Sequence, residues 1–121
     1  MPSGNLRVDI VSASRLTNMD GLFGKNDAYA IVKVGEQTQK TNIIENAGKE
    51  ATWDESFNFS IVSDDEVAIE VYDSDNIQDD LIGLVKIPLD AVFQDKKVEK
   101  RYPLSRGANN AGEVLVRLHF S

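Results

Sequence analysis

Apolar residues recur at every second position along most of this chain. Leu6, Val8 and Ile10 alternate with Arg7 and Asp9, Val67, Ile69 and Val71 with Ala68 and Glu70, and Val114, Val116, Leu118 and Phe120 close the chain in the same rhythm. Successive strand side chains point to opposite faces, so such a run buries one face and wets the other; a helix would need a period of about 3.6. Tyr29, Ile31 and Lys33 alternate with Ala30, Val32 and Val34, and Phe57, Phe59 and Ile61 with Ser56, Asn58 and Ser60. Val85, Ile87 and Leu89 follow Gly83; Thr38–Ile44 reads as a polar edge strand and Val98–Leu104 as a weaker one. About eight short strands separated by Gly, Asn, Asp and Ser turns predict an all-β, eight-stranded antiparallel β-sandwich. One short helix is expected over Leu89–Asp95, with Pro88 before it and Asp90 near its start. Residues 1–4 and 106–112 are expected to be mobile, the latter through Gly107, Asn109, Asn110 and Gly112. Trp53, beside a strand start, is expected to anchor core or loop, and His119 to face outward between Leu118 and Phe120.

Residues 1–121 fit a single domain. With no cysteine the chain has neither disulfides nor thiolate metal sites, which suits the cytoplasm. No apolar run approaches the roughly 20 residues of a membrane span, and Met-Pro-Ser-Gly is no signal peptide, so a soluble monomer with only peripheral membrane contact is expected. A net charge of −7 disfavours nucleic acid and, without help, anionic lipid. One histidine and no cysteine exclude Ser-His-Asp and Cys-His catalysis, and the chain is read as a non-enzyme. The segment Asp73-Ser-Asp75-Asn-Ile77 has the look of a phosphatase nucleophile motif, but the crossover helices of a parallel sheet are missing from the pattern. An EF-hand counted from Asp73 would put its glycine on Gln78 and its bidentate Glu on Leu84.

Five aspartates flank two of the predicted loops. Asp20 and Asp27 bracket the first; Asp73, Asp75 and Asp80 bracket the second, with Asp79 beside Asp80. Aspartate also favours turns, because its side chain bonds nearby backbone N–H groups, so each residue taken alone is explained without a ligand. Clustered carboxylates repel unless a cation joins them, and hard oxygens on loop tips suit Ca²⁺. Asp73 and Asp75 are two apart at a strand end, and Asp80 returns the chain opposite them. Main-chain carbonyls of Met19 and Ser74 stand where they can add oxygens. Two bound Ca²⁺ would bring the charge from −7 to −3, all at one end.

Gly4–Leu16, Asp20–Lys33, Thr52–Phe59, Val71–Asp75, Asp80–Gly83 and Gly112–Phe120 together resemble a C2 domain across essentially the full length. The look is that of the small stand-alone C2 proteins of plants and protists. The first strand at Leu6 and the last at Phe120 resemble the permuted, type II topology. The resemblance implies binding of roughly two to three Ca²⁺ ions followed by anionic phospholipid. It puts Asp20, Asp27, Asp73, Asp75 and Asp80 on the family's five calcium positions. By that resemblance the loop between Asp20 and Asp27 is one residue longer than usual and that between Asp75 and Asp80 one shorter, so Asp79 competes with Asp80 for the last position.

Leu22, Phe23 and Ile77 are large apolar residues in polar loops and fit shallow insertion among lipid headgroups. By resemblance Lys33 and Lys40 occupy positions of a lipid-recognising strand, whereas Ile31 and Thr38 replace further lysines. Lys96, Lys97, Lys100, Arg101 and Arg106 form a second basic run that reads first as a solvated face. The rival reading is a calcium-independent C2-like adapter that binds a protein partner through the Thr38–Ile44 edge or the basic run.

Overall fold

Eight strands form, all paired antiparallel: β1 (Gly4–Ser14), β2 (Ala28–Val34), β3 (Gln37–Lys40), β4 (Ala51–Ile61), β5 (Glu66–Asp73), β6 (Asp80–Pro88), β7 (Lys97–Arg106) and β8 (Asn109–Phe120). The computed structural model describes residues 2–19 and 24–121. The strand order is β3-β2-β5-β6-β7-β8-β1-β4. β6 and β7 meet through one residue pair, Leu84 and Ser105, so the order folds there into two four-stranded layers. The first and last strands are neighbours, as the permuted arrangement requires.

The alternation decides which faces meet between the layers. Leu6, Val8, Ile10, Val67, Ile69, Val71, Val114 and Val116 are fully buried. On β2 the inward set is Ala28, Ala30, Val32 and Val34, which leaves Ile31 and Lys33 on the outer face. Gly83 sits at the seam between the layers, where a Cβ would come within 2.7 Å of the Ala111 Cβ and 3.1 Å of the Leu104 Cβ. Only glycine permits that approach.

The helix forms as α1 (Asp90–Asp95), buries Val92 and ends on Lys96 in the left-handed region. Phe93 packs edge-on against Phe120 at 4.9 Å. Several expectations need correction. Residues 106–112 are not a mobile loop: β7 runs to Arg106 and β8 starts at Asn109 in a hairpin turned by Gly107 at φ +63°, with the Gly112 N–H donating to Asn110 Oδ1. Gly4 likewise belongs to β1, paired with Ile61. The polar edge strand stops at Lys40, after which Ile44 makes only an isolated bridge to Ala28. Thr41 accounts for that early end, because its hydroxyl, accepting from the Ala30 N–H, turns the chain away. His119 does lie on the outer side of the alternation, half-buried between the buried Leu118 and Phe120.

Candidate functional site: an acidic crown on three loops

Three loops share one end of the sandwich: the described residues 15–19 and 24–27 of the first, 41–50 of the second and 74–79 of the third. The strand registers enforce this, since Ala28 pairs with Asp73 and Ile44, and Asp73 pairs with Asp80. Directly paired residues share a face. Asp73 and Asp80 therefore project to the same side at the base of the third loop, as the sequence spacing suggested.

Asp73 is fully buried, and its Oδ1 accepts the Asp27 N–H at 2.8 Å. The Ser74 N–H donates back to the Asp27 carbonyl at 2.8 Å, so the strand ends are locked together. The Asp27 Oδ1 accepts the Asn46 N–H of the second loop at 2.8 Å. Asp75 is exposed, and its Oδ1 accepts the Asn76 N–H at 2.6 Å. These backbone donors fix where the carboxylates point. Asp27, Ser74 and Asp75 line a cleft of about 310 Å³ together with Ile43, Glu45 and Asn76.

Asp79 has a different setting. One oxygen accepts the Tyr29 hydroxyl and the other the Asp75 N–H. The Tyr29 hydrogen bond, then the Asp75 N–H and nearby Lys40, hold its carboxyl below the ordinary value of 3.8. Burial, reinforced by Asp79, pushes the Tyr29 hydroxyl well above its usual range. Tyr29 stacks on Tyr72 at 5.6 Å, and the Tyr72 hydroxyl donates to Glu70. Asp79 thus clamps the third loop to the outer face of β2.

Lys33 and Lys40 share that outer face, since Lys40 is opposite Ile31 and Lys33 opposite Thr38. Each has a local partner: Lys33 Nζ lies 3.2 Å from a Glu70 oxygen, and Lys40 Nζ lies 4.4 Å from the Tyr29 ring centre. Ile77 is 97% exposed at the third-loop tip. Asp20, Leu22 and Phe23 lie outside the described residues, while Met19 is half-buried with its N–H on Asn26.

Sequence reasoning missed three residues. Ile43, expected within the Thr38–Ile44 edge strand, and Glu45 instead join the cleft from the second loop. Asn26 is fully buried and staples two loops. Its Oδ1 accepts the Met19 N–H, and its Nδ2 donates to the Thr17 and Gly48 carbonyls at 2.9 and 2.7 Å. Its own carbonyl accepts the Ala47 and Gly48 N–H groups. A buried amide this fully satisfied holds its surroundings in one arrangement. The signal available was an Asn directly before Asp27 and the next strand.

Among the described residues the acids do not close into a cage of three or more. The donors are all hard oxygens on loop ends, the type Ca²⁺ takes in flexible geometry, so the residues present fit that ion. The C2-domain family profile matches residues 4–104. The chain belongs to the C2 domain family.

Among relatives of this C2 domain, Elicitor-responsive protein 3 of Oryza sativa subsp. japonica is 32% identical over 124 residues, 100% of this chain and 85% of that protein. Extended synaptotagmin-3 of Xenopus tropicalis is 33% identical over 128 residues, 99% of this chain but only 14% of that much longer protein. A solved C2 domain-containing protein from a putative elicitor-responsive gene superposes with a TM-score of 0.86 at 30% identity, covering 99% of this chain and 90% of that one. The calcium-bound tandem C2 domains of Extended-Synaptotagmin 2 give 0.87 at 26% identity, over 99% of this chain and 46% of theirs. Among the described residues no helix is long and apolar enough to cross a membrane.

Proposed function

We propose that this C2 domain docks peripherally on anionic phospholipid membranes when Ca²⁺ enters its loop crown. The carrying observation is that Asp27 and Asp75 line one cleft at this end of the sandwich, with Asp73 and Asp80 paired at the base of the same loop that carries the exposed Ile77. The ion would be held by Asp27, Asp73, Asp75 and Asp80, with Asp20 from the first loop and carbonyls of Met19 and Ser74. Asp79, engaged by Tyr29 and the Asp75 N–H, orients the loop, and that favours Asp80 as the ligand. Bound Ca²⁺ supplies positive charge where repulsion of anionic lipid was strongest, and lipid oxygens complete its shell.

Apolar contact supplements the ion. Of the three large apolar side chains exposed among the described residues, Ile43 and Ile77 stand on the second and third loops of the crown, and Leu22 and Phe23 belong by sequence to the first. The adapter reading has less support. The Gln37 side chain reaches from β3 to donate to the Ser60 carbonyl at 2.7 Å and accept the Ser60 N–H at 2.9 Å. That spans the gap between the two edge strands a partner would have to enter. Co-sedimentation with phosphatidylserine-containing liposomes across a calcium titration tests the proposal, with phosphatidylcholine liposomes and EDTA as controls. Calcium-dependent pelleting with the anionic liposomes alone is expected; no pelleting at millimolar calcium would leave the adapter reading standing.

A further inference from the structure

The crown is not acidic throughout. Between the first and second loops lies an open groove of about 620 Å³ whose lining includes Arg15, Asn18, Lys25, Gly48, Lys49 and Glu50. Arg15, Lys25 and Lys49 are all exposed. In a chain of net charge −7, three cations against a single acid, Glu50, invert the local sign.

The backbone that carries the three cations is held in place. Arg15 takes a left-handed backbone, φ 54°, at the end of β1. The adjacent Leu16 N–H donates to the Lys49 carbonyl at 3.0 Å, which fixes the first loop's start to the second loop. Gly48, at φ 66°, takes the left-handed turn beside the Lys25 stem. The Asn26 amide pins Gly48 and Thr17 beneath them. Arg7, Lys33 and Arg117 are spent in ion pairs with Asp9, Glu70 and Glu99, whereas among the described residues Arg15, Lys25 and Lys49 form none.

We propose that this groove is a phosphate subsite for an anionic lipid headgroup, separate from the carboxylate cleft and independent of the metal. This rests on the membrane reading above. A guanidinium fork and two ammonium groups match the oxygens of a phosphate. The occupant is a lipid rather than a soluble phosphate because the groove opens on the same loop end as the cleft and Ile77. A membrane that takes up that tip also meets Arg15, Lys25 and Lys49. The crown then grips anionic lipid twice, once through the ion and once directly.

The test compares Arg15→Gln/Lys49→Gln with Lys97→Gln/Lys100→Gln, which removes the same charge from β7. Binding to phosphatidylserine vesicles is measured at saturating calcium, and calcium binding is measured without vesicles. The groove variant is expected to bind vesicles about thirtyfold more weakly than wild type, and the β7 variant to lose no more than about threefold. Calcium binding without vesicles stays unchanged in both. Equal losses in the two variants would mean that only net charge matters and would overturn the subsite. Should the double variant melt early, Lys25→Gln at its exposed position repeats the test, with about fivefold expected and no change counting against the proposal. Pyrophosphate binding to wild type at submillimolar concentration, lost in the groove variant, would make a soluble phosphate the occupant and overturn the lipid assignment. Wild type that ignores vesicles even with calcium overturns the membrane reading itself, an outcome distinct from loss of the groove alone.

Discussion

Asp73 and Asp75 are two residues apart and lead opposite lives. Asp73 ends β5, is fully buried and accepts the Asp27 N–H; Asp75 is exposed in the loop and lines the cleft. The contrast extends to their neighbours. Asn26 and Asp73 form a floor that ties loops to strands, while Asp75 and Ile77 form an exposed rim whose hydrogen bonds are local ones within the third loop. A floor contributes stability and fixes geometry. A rim contributes almost nothing to folding, so its composition is free to answer to a ligand.

The sharpest way to break this comparison is at the floor. Asn26→Ala leaves the Met19 N–H and the Thr17 and Gly48 carbonyls without their partner and should cost roughly 3 kcal/mol. Urea unfolding reads this directly; a cost below about 0.5 kcal/mol, the ordinary surface range, would show that the staple is not structural. At the rim, Asp75→Asn should change stability by less than about 0.5 kcal/mol. The same change should weaken calcium binding at least about tenfold by calorimetry, since it removes a charged oxygen ligand. An unchanged titration would refute the ligand assignment.

Ile77→Ala isolates the apolar part of the rim. Vesicle affinity should fall about fivefold, near 1 kcal/mol, because a shallow site buries only part of the side chain. Val62, also exposed but in the turn between β4 and β5, provides the comparison: Val62→Ala should leave vesicle binding unchanged. The smallest effect belongs to the clamp joining rim to floor. Tyr29→Phe removes the hydrogen bond that does most to lower the Asp79 pKa and should cost about 0.5–1 kcal/mol at neutral pH. A carboxylate with a depressed folded pKa adds stability above its unfolded pKa and loses it as pH falls through the folded one. The gap between wild type and Tyr29→Phe should therefore be full at neutral pH and narrow below 3.8. A gap constant down to pH 2 would exclude Asp79 as the partner that matters.

The strands were legible because a half-buried strand must alternate, and Leu6–Ile10, Val67–Val71 and Val114–Phe120 do so without interruption. The meeting of Asp73 with Asp80 was legible too, since an i, i+2 pair at a strand end and a short return leave few geometries. The 106–112 segment misled because Gly and Asn favour mobile loops and tight hairpins alike; only pairing across β7 and β8 decides which. Asn26, Ile43 and Glu45 were hidden for a related reason. Their roles come from contacts between loops far apart in sequence, and those contacts have no period. Trp53 was expected as an anchor and is one: it is buried, with its indole N–H on the Ala28 carbonyl at 3.3 Å beneath the crown.

The central claim is that the acidic cleft and the membrane complete one calcium site between them. Calorimetric titration of calcium, with and without phosphatidylserine vesicles, tests it most directly. Reciprocal coupling requires the vesicles to tighten calcium binding by the same factor by which calcium tightens vesicle binding, about tenfold or more for a shared shell. Equal calcium affinity in the two titrations would contradict the account.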